Sequence, residues 1–233
     1  MIDFFNDTSV GSKFFAKGCP YCGSEIEFVS CEDAFGYAKR NYDHVYICSN
    51  RTCGAYTPAH KISKGDGMQY HPQGIIADED LRRDHALLNT IFKPFHQENL
   101  VDKVFHKYIL SFTDEENDVT VYGEVVGVDN ETKIYKILSE NGNIYEVPKQ
   151  LTQKINIRTR SYFWLATKLG VPMCECHIPQ FNSDVTAKAI SIIQEANQQI
   201  NNHESNSKQC NSGDESENEQ ILSEGYLQRQ SVR

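Results

Sequence analysis

No stretch of the 233-residue chain approaches the ~20 consecutive apolar residues that a helix needs to cross a bilayer. The opening, MIDFFNDTSVGSKFF, carries acidic residues where an export signal carries positive charge, so the expected location is the cytoplasm. Basic residues are in the minority. The 23 Lys and Arg against 32 Asp and Glu leave a net charge of -9, which excludes a protein that coats nucleic acid with its whole surface. A glycine-rich loop for phosphates, a nucleophile elbow, a carboxylate pair and an internal repeat are also missing. The common signatures of enzymes are therefore absent, and binding chemistry is what remains.

Cysteine, by contrast, is plentiful, with eight residues. They are unevenly placed and no export signal accompanies them, so metal binding is expected over a disulfide framework. Cys19 and Cys22 form a C-x2-C knuckle, and Cys48 and Cys53 form a wider C-x4-C pair after a long loop. Two tight turns of this kind can aim four thiolates at one tetrahedral Zn2+ ion. Gly23 and Gly54 each follow the second cysteine of a pair, where the backbone must fold back and amide N-H groups can approach sulfur. A redox C-x-x-C pair would sit at a helix start in a βαβ context, whereas strand and turn residues surround this one. Four unrelated buried thiols are the other alternative. Cys31 and His44 lie between the pairs and could substitute for a cysteine, but neither has a partner at knuckle spacing, and Cys31 reads as a small buried hydrophobe.

The fold class expected is α+β: a zinc ribbon of short β-hairpins around one four-cysteine site, packed on a few α-helices, with a small β-sheet insertion and a disordered C-terminal tail. Residues 1–70 form the ribbon, with strands at SEIEFVS and DHVYICS. Residues 71–112 are a helical pair. The first helix is capped by Asp78, carries Leu81, His85, Leu88 and Phe92 at helical spacing, and is stopped by Pro94. The second runs through Leu100, Val101, Val104, Phe105, Tyr108 and Ile109, with His106 toward solvent. Residues 113–153 alternate β-branched and polar side chains in three runs broken by DNET and NGN, a small three-stranded or SH3-like insertion. Residues 154–200 return to helix, first from Ser161 to a cap at Gly170 with Pro172 beyond, then from Ser183 or Asp184 through Val185, Ala189, Ile192, Ile193, Ala196 and Ile200. Residues 201–233 are Asn, Ser, Gln and Glu with few apolar residues, too polar to offset the entropy of ordering, and Cys210 within them is not expected to bind metal.

Charge is not spread evenly. Between Gly36 and Lys64 stand Lys39, Arg40, Arg51, Lys61 and Lys64 against one acid, Asp43, with Tyr37, Tyr42, Tyr46 and Tyr56 interleaved. Lys149, Lys154, Arg158, Arg160 and Lys168 occupy a second acid-free stretch. Cations contact phosphates and rings stack on bases, so Lys39, Arg40, Arg51, Tyr56 and Lys61 are the candidate nucleic-acid contacts. The competing explanation is that these side chains only solvate a metal domain.

The motifs CPYCGS, CGAY followed by His60 and Lys61, IADEDLRRDHALLNTIFKPF, and YFWLATKLGVP with CHIPQF together resemble a group of small zinc-finger-containing proteins of phages, prophages and bacteria. The resemblance spans about residues 19–96 and 158–195 and skips the β insertion and tail. It implies a phage or mobile-element origin, the host cytoplasm as location, and a largely unassigned function. Three positions depart from the family pattern: the second pair is wider than C-x2-C, Ala59 stands where a cysteine often precedes the histidine, and Pro179 and Gln180 replace a small and an apolar residue.

His60, Cys176 and His177 fall in these segments and could form a second metal site or a catalytic pair. The simpler expectation is that they hydrogen-bond the ribbon to the helices. The leading functional expectation is a non-enzymatic protein with one structural zinc ion, whose basic ribbon binds nucleic acid or a nucleic-acid-processing enzyme. One alternative is an interaction module that modulates a host or defence protein. The other is an enzyme built on His60 and His177.

Overall fold

Period-two alternation places the first strand, β1 (Ile26–Ser30), with Ile26 and Phe28 buried and Glu27 between them on the opposite face. The computed structural model, which describes residues 14–64 and 67–228, pairs β1 antiparallel with β2 (His44–Cys48). Strand β2 pairs with β3 (Tyr56–Lys64), which folds back on β4 (Gly67–Pro72), so four strands lie in sequence order. The β3–β4 hairpin extends the ribbon beyond its predicted strands, because TPAHKISKGDGMQYHP has too few apolar residues for alternation to show. Between β1 and β2 lies a one-turn helix, α1 (Cys31–Phe35), capped by Ser30 and closed by Gly36 in the left-handed region. Cys31 packs with Val45 and Ile47 as the small hydrophobe expected.

Helix α2 (Glu79–Gln97) begins as predicted, with Asp78 Oδ1 accepting from the Leu81 N-H at 2.9 Å. It does not stop at Pro94. Phe95 is fully buried and stacks on Trp164 with ring centroids 4.8 Å apart, and that burial offsets the hydrogen bond that proline removes. The expected second helix also shrinks, to α3 (Val101–Val104), with His106 exposed as predicted. Ile109 starts a strand instead: β5 (Ile109–Asp114) buries its first four residues in succession, so it has no period two to read.

Five strands, not three, make the second sheet: β5, β6 (Val119–Asp129), β7 (Ile134–Ser139), β8 (Ile144–Pro148) and β9 (Gln153–Lys154), in the order β8-β7-β6-β5-β9. Leu110, Phe112, Ile137 and Val147 form its small core. The two turns read from sequence are present: Asp129 Oδ1 accepts from the Glu131 and Thr132 N-H groups, and Gly142 has φ +84.

Helix α4 (Ile157–Leu169) starts four residues before Ser161, because Asn156 Oδ1 accepts from the Thr159 N-H at 2.8 Å and supplies the cap. Gly170 ends it at φ 74, as expected. The last helix, α5 (Ser183–Gln228), contributes Ala189, Ile193 and Ala196 to the main core, with Leu88, Phe92, Phe95 and Trp164 from α2 and α4. Its apolar stripe stops at Ile200, and residues 201–205 are all exposed, where the composition turns polar. The backbone nonetheless stays helical through Gln228, across the segment expected to be a disordered tail. The side chain of Cys210 and residues 1–13 and 229–233 lie outside the described residues.

Two contacts join the ribbon to the helices through the segment 178–181. The Ile75 N-H donates to the Pro179 carbonyl at 3.0 Å, and a Cβ on Gly74 would stand 2.0 Å from that oxygen. His85 Nε2 donates to the Phe181 carbonyl at 2.9 Å. Because the first contact uses the carbonyl of residue 179, its unusual proline does not disturb it.

Two outcomes follow from this junction. Gly74→Ala must push the backbone apart and is expected to cost about 1–3 kcal/mol in urea denaturation. Burial holds the His85 imidazole below its ordinary value, so the unfolded chain takes up its proton first. The stability due to neutral His85 is then complete above about pH 6.5 and lost as pH falls toward the folded pKa. His85→Gln, which keeps a donor for Phe181, should flatten that part of the pH profile; an unchanged slope would exclude His85 as its source.

Candidate metal centre

The first knuckle is shaped by backbone hydrogen bonds. The Gly23 N-H donates to the Cys19 carbonyl at 2.8 Å, and the Cys19 N-H to the Ser24 carbonyl at 2.7 Å. Gly23 has φ +75, which a side chain would oppose. The second knuckle repeats the device with Gly54 at φ +66, and the Cys48 N-H donates to the Ala55 carbonyl. Its two additional residues fold into a turn around Asn50, whose Oδ1 accepts from both the Thr52 N-H and the Thr52 hydroxyl. The wide C-x4-C spacing therefore still directs both sulfurs inward.

All four ligand atoms, from Cys19, Cys22, Cys48 and Cys53, lie within 4.8 Å of one another. Cys19 Sγ is 3.7 Å from Cys53 Sγ, and Cys22 Sγ is 3.4 Å from Cys48 Sγ. A tetrahedron with Zn–S bonds of about 2.3 Å has sulfur–sulfur edges of about 3.8 Å, so the thiols fit one zinc ion. Their charge states are uneven. The Ser24 hydroxyl and N-H stabilise the exposed Cys22 thiolate and hold it at about 6, whereas burial pushes Cys48 up to about 12. A zinc ion held by Cys19, Cys22, Cys48 and Cys53 would favour their thiolate forms, and four thiolates would leave no position open for a water molecule.

Around the thiols, side chains tie the knuckles to the rest of the chain. Arg51 donates to the Cys48 carbonyl at 3.0 Å and pairs with Glu27 at 2.7 Å. Arg82 of α2 donates to the Gly54 and Ala77 carbonyls, and its guanidinium lies 4.1 Å above the Tyr56 ring. Sequence reading missed Arg82. Its signal was one of two adjacent arginines in the helix motif RRDHALL, with nothing nearby to mark its partner. His44 stacks on Phe28 at 5.0 Å and lies 3.2 Å from Asp43, which accounts for it outside the metal shell.

A family model described as a zinc-finger-containing domain matches residues 16–138, just over half of the 233-residue chain. The chain belongs to this family. No curated protein and no solved structure matches it. The family domain includes β5, β6 and nearly all of β7, so it runs into the sheet that the motif resemblance skipped, and residues 158–195 lie beyond the match. The zinc-finger-containing description agrees with the four-thiol cluster and with one zinc ion as cofactor.

The other candidate site residues are scattered by comparison. Among the described residues, His60, Cys176 and His177 do not form a group of three ligands; the thiol cluster does. His60 is exposed on β3 opposite His71, Cys176 is buried in the main core, and His177 is exposed before the turn Ile178–Gln180. No helix among the described residues is long and apolar enough to cross a membrane.

Elemental analysis of the purified chain should give one zinc per chain. Cys48→Ser should lose the ion and the ordered ribbon, while Cys31→Ser keeps the ion. Retention of zinc by the first variant or loss by the second would assign the ligands differently.

Proposed function

We propose that the chain is a non-enzymatic zinc-ribbon protein of phage or mobile-element origin that binds nucleic acid, or an enzyme that processes it, through basic residues of the ribbon. The observation that carries this reading is the state of Lys39, Arg40 and Lys61. Arg40 and Lys61 are exposed, and Lys39 is half-buried against Tyr37, a ring 54% exposed. Lys39 Nζ donates to the Tyr37 hydroxyl at 2.6 Å and sits 4.4 Å over its ring, so charge and stacking surface are presented together. Arg51 and Tyr56 serve the ribbon itself and contribute less. In the second basic stretch Lys149, Lys154, Arg158 and Lys168 are exposed, whereas Arg160 is held by Asp102 at 2.7 Å. A metal held by four thiolates supports the ribbon without supplying hydrolytic chemistry.

A second reading, protein interaction through the five-stranded sheet, is favoured by Val126, Val128 and Ile144, each at least half exposed. A stoichiometric protein partner that survives nuclease treatment in a pull-down would select it.

Titration of labelled single-stranded and duplex oligonucleotides at increasing salt tests the leading reading. Affinity should fall steeply with salt, and Lys39→Glu with Arg40→Glu should reduce the log–log slope by about two while zinc content stays at one. Absent or salt-independent binding would overturn it.

A further inference from the structure

The β insertion and the C-terminal segment face each other across a groove of about 1030 Å³. Strands β5 and β6, the turn after β7, the end of α4 and the segment 171–177 line it. Its volume is at the upper end of the ~300–1,000 Å³ usual for small-molecule sites. Val121, Leu138, Phe163, Val171 and Met173 make much of the wall apolar, and Tyr122 adds an aromatic face. Three carboxylates, Asp114, Glu124 and Glu140, stand against one ammonium, Lys107.

Two of those carboxylates are already engaged. Glu124 pairs with Lys107, and Asp114 accepts from the Glu116 N-H and from Asn117 Nδ2. Glu140 differs. Its Oε2 accepts from the Met173 N-H at 2.9 Å, and no cation pairs with it among the described residues. Although the residue as a whole is exposed, the surrounding walls shield its carboxyl enough to hold it above the ordinary carboxylate range. Glu140 also lies near enough to Cys176 for its charge to reinforce the effect of burial on that thiol. The result is an apolar trough with an uncompensated negative group at its wall.

We propose that this groove is a binding site for a small organic cation with a flat apolar body, its charged nitrogen at Glu140 and its body along the Val121, Leu138 and Phe163 walls. Apolar surface supplies the affinity and the carboxylate selects the sign of charge. The site is separate from the ribbon and does not depend on the nucleic-acid reading.

Two dyes of similar size and opposite charge test it on the zinc-loaded full chain: cationic thioflavin T and anionic anilinonaphthalene sulfonate. Thioflavin T should bind at one saturable site and the sulfonate more weakly. Glu140→Gln, which keeps an oxygen for the Met173 N-H, should weaken thioflavin T about three- to tenfold without weakening the sulfonate. Thr167→Trp, an exposed position at the groove wall, should fill the groove and abolish thioflavin T binding, with circular dichroism and zinc content unchanged. Equal binding of the two dyes, or a thioflavin T affinity indifferent to Glu140→Gln, would overturn the proposal. If the tryptophan variant does not fold, the glutamine variant decides alone.

Discussion

Thiolate coordination is the constraint on which the N-terminal part of the structure rests. The ribbon's own apolar core is divided into two small clusters: Ile26, Phe28, Tyr46, Ala55, Ala59 and Ile76 are buried around two of the cysteines, Cys19 and Cys48, and Val45 and Ile47 pack with Cys31. So few side chains cannot order the loops that carry Cys22 and Cys53. A structural zinc ion contributes about 10–16 kcal/mol in small metal-folded units, and only when all four sulfurs converge. The glycines at 23 and 54, the Asx turn at Asn50 and the bond from Arg51 to the Cys48 carbonyl all serve that convergence.

The metal unit is then coupled outward through backbone carbonyls. Arg82 reads the carbonyl of Gly54, one residue past a zinc ligand, and Ile75 and His85 read the carbonyls of Pro179 and Phe181. This explains how motifs far apart in the chain can act together: CGAY, RRDHALL and HIPQF meet at one junction. It also explains why side-chain changes at 179 and 180 are compatible with the junction. What matters at 179 is a carbonyl oxygen and, facing it, a residue at 74 without a Cβ.

The β insertion has a different standing. It carries its own core and hydrogen-bond ladder, and it meets the rest of the protein through Ile109 and Tyr122, which pack in the main core, and through Glu140 and the groove wall. Glu140 reaches the C-terminal segment from a turn 33 residues upstream of Met173, whose N-H it accepts. The exposed basic side chains of the ribbon and the groove beside the insertion thus occupy separate elements of one chain.

Local chemistry was decided by the sequence itself: the two knuckles with their glycines, the strands at β1 and β2, the Asp78 cap, the Gly170 stop and the apolar stripe that ends at Ile200. Each depends on residues within a few positions of one another, where spacing and backbone preference act directly. Only the tertiary structure made Ile109–Asp114 a strand, carried α2 past Pro94, put Arg82 on the second knuckle and set Glu140 beside the C-terminal segment. Those outcomes depend on which distant surfaces bury each other, and a strand buried on both faces, or a proline whose neighbour fills the core, carries no local sign of that choice.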